Sequence, residues 1–469
     1  MQPTQADAYK LLHSGILAFA NAERQGIRVD LEYCKSKRKS ITKKIQNIEK
    51  DFYQSKFYRH WKYSLGGRKP NINSNDQLQK FLYDTKKLKP PKTTQSGKGS
   101  TDEETLESFK IPEIDMLLQV RKLKKLRDTY LKGFLKEQVN GYIHPFFNLH
   151  TARTFRSSSD KINFQNIPKR DKESAAICRK ALYARPGHLL LEADYSGIEV
   201  AISACYHQDP NMLSYIKNPN SDMHGDMAEQ IFFIDNLDKS IPSHKTLRSA
   251  AKNGFVFPEF YGDYYGNCAT SLACNWGGLS TGRWKSGQGL EMGEFEPAFL
   301  SDHLMKNGIK NLQNFTQHIK EIENDFWNRR FPVYKQWKED VWATYQKTGY
   351  VELLTGFRCY GPMSFNDVTN YPVQGAAFHC LLWSFIQLDK QIRKRKWKSR
   401  LIGQIHDAIV IDVYPPELNK LTKLMQKIMI NKLKKTWTWI TVPLDIEIDV
   451  SPVDGNYNEM TPYVRPSAA

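Results

Sequence analysis

The stretch LEADYSGIEVA at residues 191–201 constrains the fold of this chain more than any other feature. An apolar run ends there in Asp194, and Glu199 follows five residues later. An unpaired carboxylate at the end of a buried strand is costly to desolvate, so Asp194 is poorly placed for packing but well placed to hold a divalent cation against a phosphate. The pattern therefore predicts a partner carboxylate elsewhere in the chain.

The predicted partner lies in LIGQIHDAIVIDV at residues 401–413. Two short β-rich runs flank His406 and Asp407 there, as the strands of a tight hairpin would, which puts Asp407 at the tip. Between the two aspartates, Arg248 and Lys252 are four residues apart in a helix-like segment and share one face. Two separated aspartates and a cationic helix suit metal-assisted phosphoryl transfer, in which two ions roughly 4 Å apart stabilise the attacking and the leaving oxygen.

The composition favours a polyanionic partner. A formal charge of +18 arises from 68 Lys and Arg against 50 Asp and Glu, and nucleic acid is the commonest such partner, with solubility alone as the alternative meaning of the charge. No run of about 18 apolar residues occurs, and the N-terminus lacks the order of a signal peptide. We expect an intracellular, soluble protein without a membrane segment, whose seven scattered cysteines are free thiols.

The sequence pattern divides the chain into regions predicted to be helical and a region predicted to contain short strands and turns. Residues 8–55 and 114–137 are predicted to form long charged helices, joined through a flexible basic tip where Ser100 or Thr101 caps a short helix. Short strands and turns carrying the aspartates follow. Residues 205–345 are predicted to be mainly helical apart from a Gly- and Trp-rich stretch. The C-terminal sequence that begins SPVDG is expected to be a surface tail.

At these residues the chain resembles the A-family DNA polymerases, the group of bacterial DNA polymerase I and many phage replicases. TFRSSSDKINFQNIPKR is similar to the family's TGRLSSxxPNLQNIPxR segment, DYSGIE to motif A, RSAAKNGFVFPEFYG to motif B and QIHDAIV to motif C. GIRVD, NINS, STDEETLESF and KLKKLRDTYLKGF resemble the thumb, and GYVELLTGFRCY and NYPVQGAA match the segment between motifs B and C. The order and spacing of the motifs make the resemblance nearly chain-long.

The resemblance implies an α+β fold of the right-hand polymerase type. Its parts would be a thumb-like helical region with a flexible tip at residues 1–145, a palm with an antiparallel sheet at 146–204 and 346–469, and helical fingers at 205–345 with an insertion around 268–315. It also implies a template-directed DNA polymerase that adds deoxyribonucleotides to a primer 3′-hydroxyl. Primer-template DNA and dNTPs are the implied partners.

The resemblance also assigns the chemistry. Two Mg²⁺ ions, for which Mn²⁺ can substitute, are expected on Asp194, Asp407 and the backbone carbonyl of Tyr195. Arg248 and Lys252 are expected to grip the triphosphate, and Lys252 to protonate the leaving pyrophosphate.

Further residues are implied around the nucleotide and the DNA. Glu199 is expected beneath the incoming sugar, where a 2′-hydroxyl would collide with it, although an ion-paired structural glutamate is the alternative. His224 and Arg170 resemble phosphate-contacting residues, while Tyr261 is expected beside the templating position and Phe257 against the incoming sugar and base. The implied contacts to the primer-template minor groove, whose acceptors are shared by all correct pairs, are Arg156, Asn163, Arg358, Asn370, Gln374 and His406.

Three substitutions depart from the family pattern. Gly197 replaces a glutamine of motif A, Ala201 replaces an arginine, and Ala408 stands where cellular members carry glutamate in motif C. Two alternatives therefore stay open. One is a catalytically inactive DNA-binding replication protein, which Gly197 and Ala408 support. The other is a single-subunit RNA polymerase, against which Glu199 and the FQNIP segment argue.

Motif B carries one residue more than usual between Lys252 and Tyr261, which leaves the family's phenylalanine position open between Phe257 and a displaced Val256. Pro258 cannot donate a backbone hydrogen bond, and its ring crowds the carbonyl of the residue four positions earlier. A kink or a single-turn π-bulge is therefore predicted here, and it would absorb the extra residue and turn Phe257 toward the face of Lys252.

The thumb-like segment begins almost at Met1, so we expect no 3′-to-5′ proofreading exonuclease in this chain. A separate exonuclease, helicase or processivity factor cannot be read from the sequence. The family resemblance favours the cytoplasm of a bacterium or of a phage-infected host.

Overall fold

The structure, a computed structural model, describes residues 3–90, 93–94, 97–169, 171–293 and 297–464. The chain divides into two compact units. The first unit is formed by Met1–Lys43, Lys124–Lys217 and Gln336–Ala469, and the second by Lys44–Leu123 and Asn218–Lys335. All strands of the described residues belong to the first unit, so the sheet that carries the aspartates is part of that unit.

The first unit contains one large sheet and three small ones. In chain order the strands are β1 (Ile27–Val29), β2 (Tyr142–Ile143), β3 (Phe146–Asn148), β4 (Ser158–Asp160), β5 (Leu182–Tyr183), β6 (Leu189–Tyr195), β7 (Tyr350–Glu352), β8 (Arg358–Tyr360), β9 (Arg400–Ile405), β10 (Ala408–Val413), β11 (Ile446–Val450) and β12 (Thr461–Pro462). The large sheet has the order β12-β11-β6-β10-β9, the second sheet the order β2-β1-β5, and β3-β4 and β7-β8 are separate pairs. All of these pairings are antiparallel.

The large sheet is the core of the first unit. Its central strands, β6 and β10, are buried along nearly their whole length, as their continuous apolar runs require. The helix Phe365–Lys394 begins with a capping box between Ser364 and Asp367. Its Phe385 packs edge-on against Phe19, at 4.9 Å between ring centroids.

Helices surround this sheet. The α-helices that lie wholly in the first unit, together with Pro332–Thr348, which begins in the second, are Gln5–Gln25, Lys132–Glu137, Lys172–Arg179, Ile198–His207, Pro210–Lys217, Pro332–Thr348, Phe365–Lys394, Leu418–Gln426 and Leu433–Thr436. Two π-helices, Leu126–Leu131 and Lys427–Lys432, and three 3₁₀ turns, Phe164–Asn166, Pro415–Glu417 and Tyr457–Glu459, complete it.

The second unit is helical. Its α-helices, two of which extend into the first unit's residues, are Leu31–Gln54, Lys56–Ser64, Asn75–Gln79, Glu103–Ser108, Pro112–Lys125, Met223–Phe232, Pro242–Ala251, Phe257–Phe260, Tyr265–Ser271, Leu300–Lys306 and Leu312–Asp325. Its π-helices are Lys80–Thr85, Lys252–Val256, Leu272–Trp276 and Phe326–Arg330. Phe326 packs on both Phe255 and Phe331, with centroids 5.4 and 4.9 Å away, and forms an aromatic core beneath motif B.

Two predictions near the N-terminus need correction. The single helix expected at residues 8–55 is two helices, because strand β1 lies between them and pairs with the distant strands β2 and β5. The short helix of the tip exists as Glu103–Ser108, but Asp102 is its N-cap and accepts the Thr105 N–H. Ser100 instead donates its hydroxyl to the Asp102 carboxylate.

The prediction of a C-terminal surface tail is wrong for the described residues up to 464. Strand β12 closes the edge of the large sheet beside β11. Tyr457 is only 2% exposed, and its hydroxyl donates a hydrogen bond to Glu192 on β6. This segment is therefore packed against β6 and β11 of the large sheet.

Other expectations agree with the structure. All seven cysteines are free and buried. Among the described residues, no helix is long and apolar enough to cross a membrane.

Candidate active site

Asp194 and Asp407 lie near each other at one end of the two central strands of the large sheet. Asp194 is near the end of β6, and Asp407 belongs to the two-residue turn between β9 and β10, which confirms the predicted hairpin. Ala408 is the register partner of Asp194, and the Tyr195 N–H donates to the Asp407 carbonyl over 3.3 Å. Two aspartates far apart in sequence thus share one site.

The two carboxylates are held in an environment that resists their negative charge. Burial raises the pKa of Asp407 to about 6, and the Glu199 and Asp194 carboxylates add to the shift while Arg156 opposes it. Burial also raises the pKa of Asp194, which Lys169 opposes and Glu192 reinforces. Crowded, desolvated carboxylates of this kind favour a bound cation, and oxygen ligands suit Mg²⁺.

Tyr195 can serve the site only through its backbone. Its side chain is buried, and its hydroxyl donates to the Met429 carbonyl over 2.8 Å and lies 2.9 Å from the Ser384 hydroxyl. These bonds fix the end of β6 and therefore the backbone beside Asp194.

Glu199 lies in the first turn of the helix Ile198–His207, directly after β6. Gly197 begins this helix with φ of +59°, in the left-handed region that glycine adopts without strain. Arg156 Nη1 lies 3.1 Å from Glu199 Oε1, and Arg156 Nη2 lies 3.9 Å from Asp407 Oδ1. The guanidinium thus links the predicted sugar gate to a predicted metal ligand.

The predicted triphosphate-binding residues cluster in the second unit. Arg248 Nε and Nη2 each donate to Asp222 over 2.7 Å. Asp222 is also the N-cap of Met223–Phe232, the helix that carries His224. The ring of His224 meets Phe257 edge-on at 5.6 Å, and Lys252 Nζ lies 5.2 Å above the same ring. One small region therefore holds three basic side chains and an aromatic face.

His224 is neutral in this environment. Burial lowers its pKa to about 4, and the charges of Lys252 and Arg248 add to the effect. A neutral imidazole can donate one hydrogen bond to a phosphate oxygen without adding a third full charge.

The predicted π-bulge in motif B is confirmed. Residues Lys252–Val256 form a π-helix, and the α-helix Phe257–Phe260 follows. Val256 is fully buried, whereas Phe257 is partly exposed beside Lys252. The structure thus places Phe257 on the expected face and excludes Val256. Tyr261 follows the helix and is 42% exposed.

The predicted minor-groove residues all lie in the first unit. Arg358 pairs with Glu352 over 3.2 Å and lies over the Tyr350 ring. Asn370 and Gln374 are one turn apart on the long helix, and His406 forms the hairpin turn with φ of +50°. Arg170 lies outside the described residues.

Asn163 is the N-cap of a 3₁₀ turn and lines a cavity of about 660 Å³. Two lysines, Lys125 and Lys161, line the same cavity. The combination of amide and ammonium groups in an open cavity suits a phosphate backbone.

The sequence of the chain was compared with known families. The model of DNA polymerase family A matches residues 31–278 and 308–456. The chain belongs to DNA polymerase family A. The unmatched residues 279–307 fall within the predicted insertion after motif B.

Individual family A relatives support the assignment. The chain is 28% identical to DNA polymerase I of Geobacillus stearothermophilus over 94% of its own length and 44% of that protein. It is 28% identical to DNA polymerase I of Aquifex aeolicus over 87% of its length and 61% of that protein. The chain thus spans about half the length of the curated relatives that it matches.

A solved structure supports the fold. The chain superposes on the POL domain of Pol1 from M. smegmatis, determined in complex with DNA primer-template and dNTP, with a TM-score of 0.72 at 24% identity. The match covers 95% of this chain and 70% of that one. The α+β fold class of the polymerase type is therefore confirmed.

The insertion of this family A chain is an ordered element where it is described. Trp284 is buried, and its indole N–H donates to the Ser280 carbonyl over 3.0 Å. Its backbone N–H donates to the Lys310 carbonyl over 3.1 Å, which closes the segment. The packing of Trp284 on Phe315 shows that the insertion is anchored to the helix Leu312–Asp325.

Sequence reasoning missed two charged residues beside Asp194. Lys169 Nζ lies 2.9 Å from Glu192 Oε1 and 3.4 Å from Asp194 Oδ2. A signal was present, because Glu192 interrupts an apolar run two positions before Asp194 and must point to the same face of β6. Lys169 gave no such signal, since its partners are distant in sequence.

Proposed function

We propose that this chain is a template-directed DNA polymerase that adds deoxyribonucleotides to a primer 3′-hydroxyl with two divalent cations. The observation that carries the proposal is the register of β6 and β10, which sets Asp194 beside Asp407. Membership of DNA polymerase family A supports the same reaction.

Mg²⁺ fits the residues of the site. Asp194, Asp407 and the Tyr195 carbonyl offer oxygen ligands, and burial, reinforced by neighbouring carboxylates, raises the pKa values of the two aspartates. When bound, two such ions supply Lewis-acid stabilisation to the attacking and leaving oxygens. Arg156 and Lys169 offset part of the charge of the carboxylates.

The basic cluster of the second unit is proposed to bind the triphosphate. Asp222 holds the Arg248 guanidinium by two hydrogen bonds, so this cation is oriented before a nucleotide arrives. Lys252 is proposed to donate a proton to the leaving pyrophosphate, and His224 to donate a hydrogen bond to a phosphate oxygen. Phe257 is proposed to contact the sugar and the base, and Tyr261 to lie beside the templating position.

Glu199 is proposed to select the sugar. Its ion pair with Arg156 holds the carboxylate in one position, and a fixed side chain excludes a 2′-hydroxyl better than a mobile one. Glu199 can therefore form the ion pair with Arg156 and also exclude a 2′-hydroxyl.

Primer extension tests the proposal. The protein is incubated with Mg²⁺, dNTPs or rNTPs, and a primer annealed to a DNA or an RNA template. Extension by dNTPs on DNA is the expected result. Preferential use of rNTPs would identify an RNA polymerase, and binding without extension would identify an inactive DNA-binding protein.

We also propose that this chain has no 3′-to-5′ exonuclease activity, because the polymerase family match accounts for residues 31–278 and 308–456. Loss of a 3′-mismatched nucleotide in the absence of dNTPs would contradict this. The cytoplasmic location stays a prediction.

A further inference from the structure

The ammonium of Lys169 lies against strand β6. Its ammonium lies between Glu192 and Asp194, which point to the same face of β6. Its backbone follows Pro168, whose carbonyl accepts the Arg179 Nε–H over 3.2 Å.

Glu192 anchors the ammonium. It is only 4% exposed and accepts a hydrogen bond from the Tyr457 hydroxyl, whose ring lies 4.4 Å from the Arg179 guanidinium. Glu192 is therefore occupied by its own partners, Lys169 and Tyr457.

Asp194 differs from Glu192 in its freedom to exchange partners. Its bond to the ammonium is the longer one, at 3.4 Å against 2.9 Å for Glu192. The Lys169 side chain is 51% exposed, so it can move when Asp194 takes a cation. In this structure one positive charge therefore lies next to a predicted metal ligand.

We propose that Lys169 is a positioning residue for nucleotide addition, which orients the Asp194 carboxylate and sets the concentration of divalent cation at which the site fills. The proposal deepens the proposed function and rests on it. Two opposite effects follow from one ammonium. It fixes the ligand oxygen, which favours the reaction, and it repels an arriving cation, which weakens metal binding.

Charge-changing variants separate these effects. Lys169→Met should tighten Mn²⁺ binding at least threefold, because the repelling charge is gone, and should lower the maximal extension rate at least fivefold, because Asp194 is no longer oriented. Lys169→Arg should keep both values within twofold of wild type. Glu192→Gln should weaken Mn²⁺ binding, because the released ammonium then bonds Asp194 alone.

The double variant Lys169→Met with Glu192→Gln removes one positive and one negative charge. Its Mn²⁺ affinity should therefore return toward that of the wild type.

Mn²⁺ affinity is measured from the loss of the free-ion electron paramagnetic resonance signal on titration of the full chain, and extension rate is measured separately against Mg²⁺ concentration. Lys180→Met, which removes an exposed lysine from the same stretch, is the matched control and should change neither value. An Mn²⁺ affinity of Lys169→Met within 1.5-fold of wild type would overturn the proposal. A wild-type protein that binds Mn²⁺ with the predicted pattern of variants but never extends a primer would overturn the proposed function instead and leave the charge effect standing.

Discussion

At the scale of single residues, the Arg156–Glu199 ion pair is the contact on which sugar selection depends in this account. Glu199→Ala removes both the carboxylate and the constraint on Arg156. We expect the ratio of kcat/KM for rNTPs to that for dNTPs to rise roughly tenfold or more, with a lower overall rate. Steady-state single-nucleotide incorporation measures the ratio. Glu173→Ala, an exposed glutamate, is the control, and an unchanged ratio in Glu199→Ala would place the gate elsewhere.

The individual residues of the site could be predicted in part. Asp194 and Asp407 were predictable because a polar residue after a buried run and a two-residue turn are local signals. Lys169 was not, because its significance lies in a contact with Glu192 that only the folded chain forms. The partner of Arg248 was missed for the same reason, since Asp222 lies 26 residues away in sequence.

At the scale of secondary-structure elements, the π-helix Lys252–Val256 decides which aromatic residue faces the proposed triphosphate-binding cluster. Phe257→Tyr should reduce discrimination against dideoxynucleotides by roughly tenfold or more, because a phenol hydroxyl can replace the missing 3′-hydroxyl as a hydrogen-bonding group. Competition between ddNTP and dNTP in primer extension measures it. The buried neighbour supplies the control: Phe255→Tyr should lower stability without changing the ratio. Equal discrimination in wild type and Phe257→Tyr would show that Phe257 does not contact the sugar.

The helix Phe257–Phe260 also contains a buried acid. Glu259 accepts the Trp327 indole N–H over 2.8 Å, and burial raises its pKa from 4.5 to about 8, with the nearby Glu323 carboxylate adding to the shift. The folded protein therefore keeps a proton on Glu259 that the unfolded chain releases above pH 4.5. This contribution to stability is present below pH 4.5 and is lost as the pH rises toward 8, at up to about 1.4 kcal/mol per pH unit.

Glu259→Gln should remove that slope. Urea denaturation at several pH values between 5 and 8 gives the free energy of unfolding. The difference between wild type and variant gives the contribution of Glu259, because other titrating groups, such as buried histidines, contribute equally to both proteins. Glu173→Gln serves as the exposed control. Parallel pH profiles for wild type and Glu259→Gln would contradict the buried protonated acid.

Some elements could not be predicted from local sequence. Strand β1 has only three residues and exists because β2 and β5, more than 100 residues away, supply its hydrogen bonds. The C-terminal segment has the turn-rich composition of a tail, yet its Tyr457 is the partner of a buried glutamate. Long-range pairing overrides local propensity in both cases.

At the scale of the whole molecule, the charge of +18 predicts binding to the phosphate backbone. The dissociation constant for primer-template DNA should rise at least roughly 100-fold between about 50 and 200 mM salt, because each neutralised phosphate releases counterions. Lys125→Gln, in the cavity that Asn163 lines, should lower the slope of log Kd against log salt by about one. Fluorescence anisotropy measures both. An affinity independent of salt would contradict the meaning given to the charge.

The central claim is that Asp194 and Asp407 together form the catalytic metal site. The most direct test is single-turnover primer extension with Mg²⁺ by Asp194→Ala and Asp407→Ala, alongside the exposed control Asp235→Ala and a measurement of DNA binding. The account predicts that each active-site variant loses at least roughly 1,000-fold in rate and still binds primer-template DNA, while the control extends normally. Extension by either variant within about tenfold of wild type would contradict the two-metal assignment.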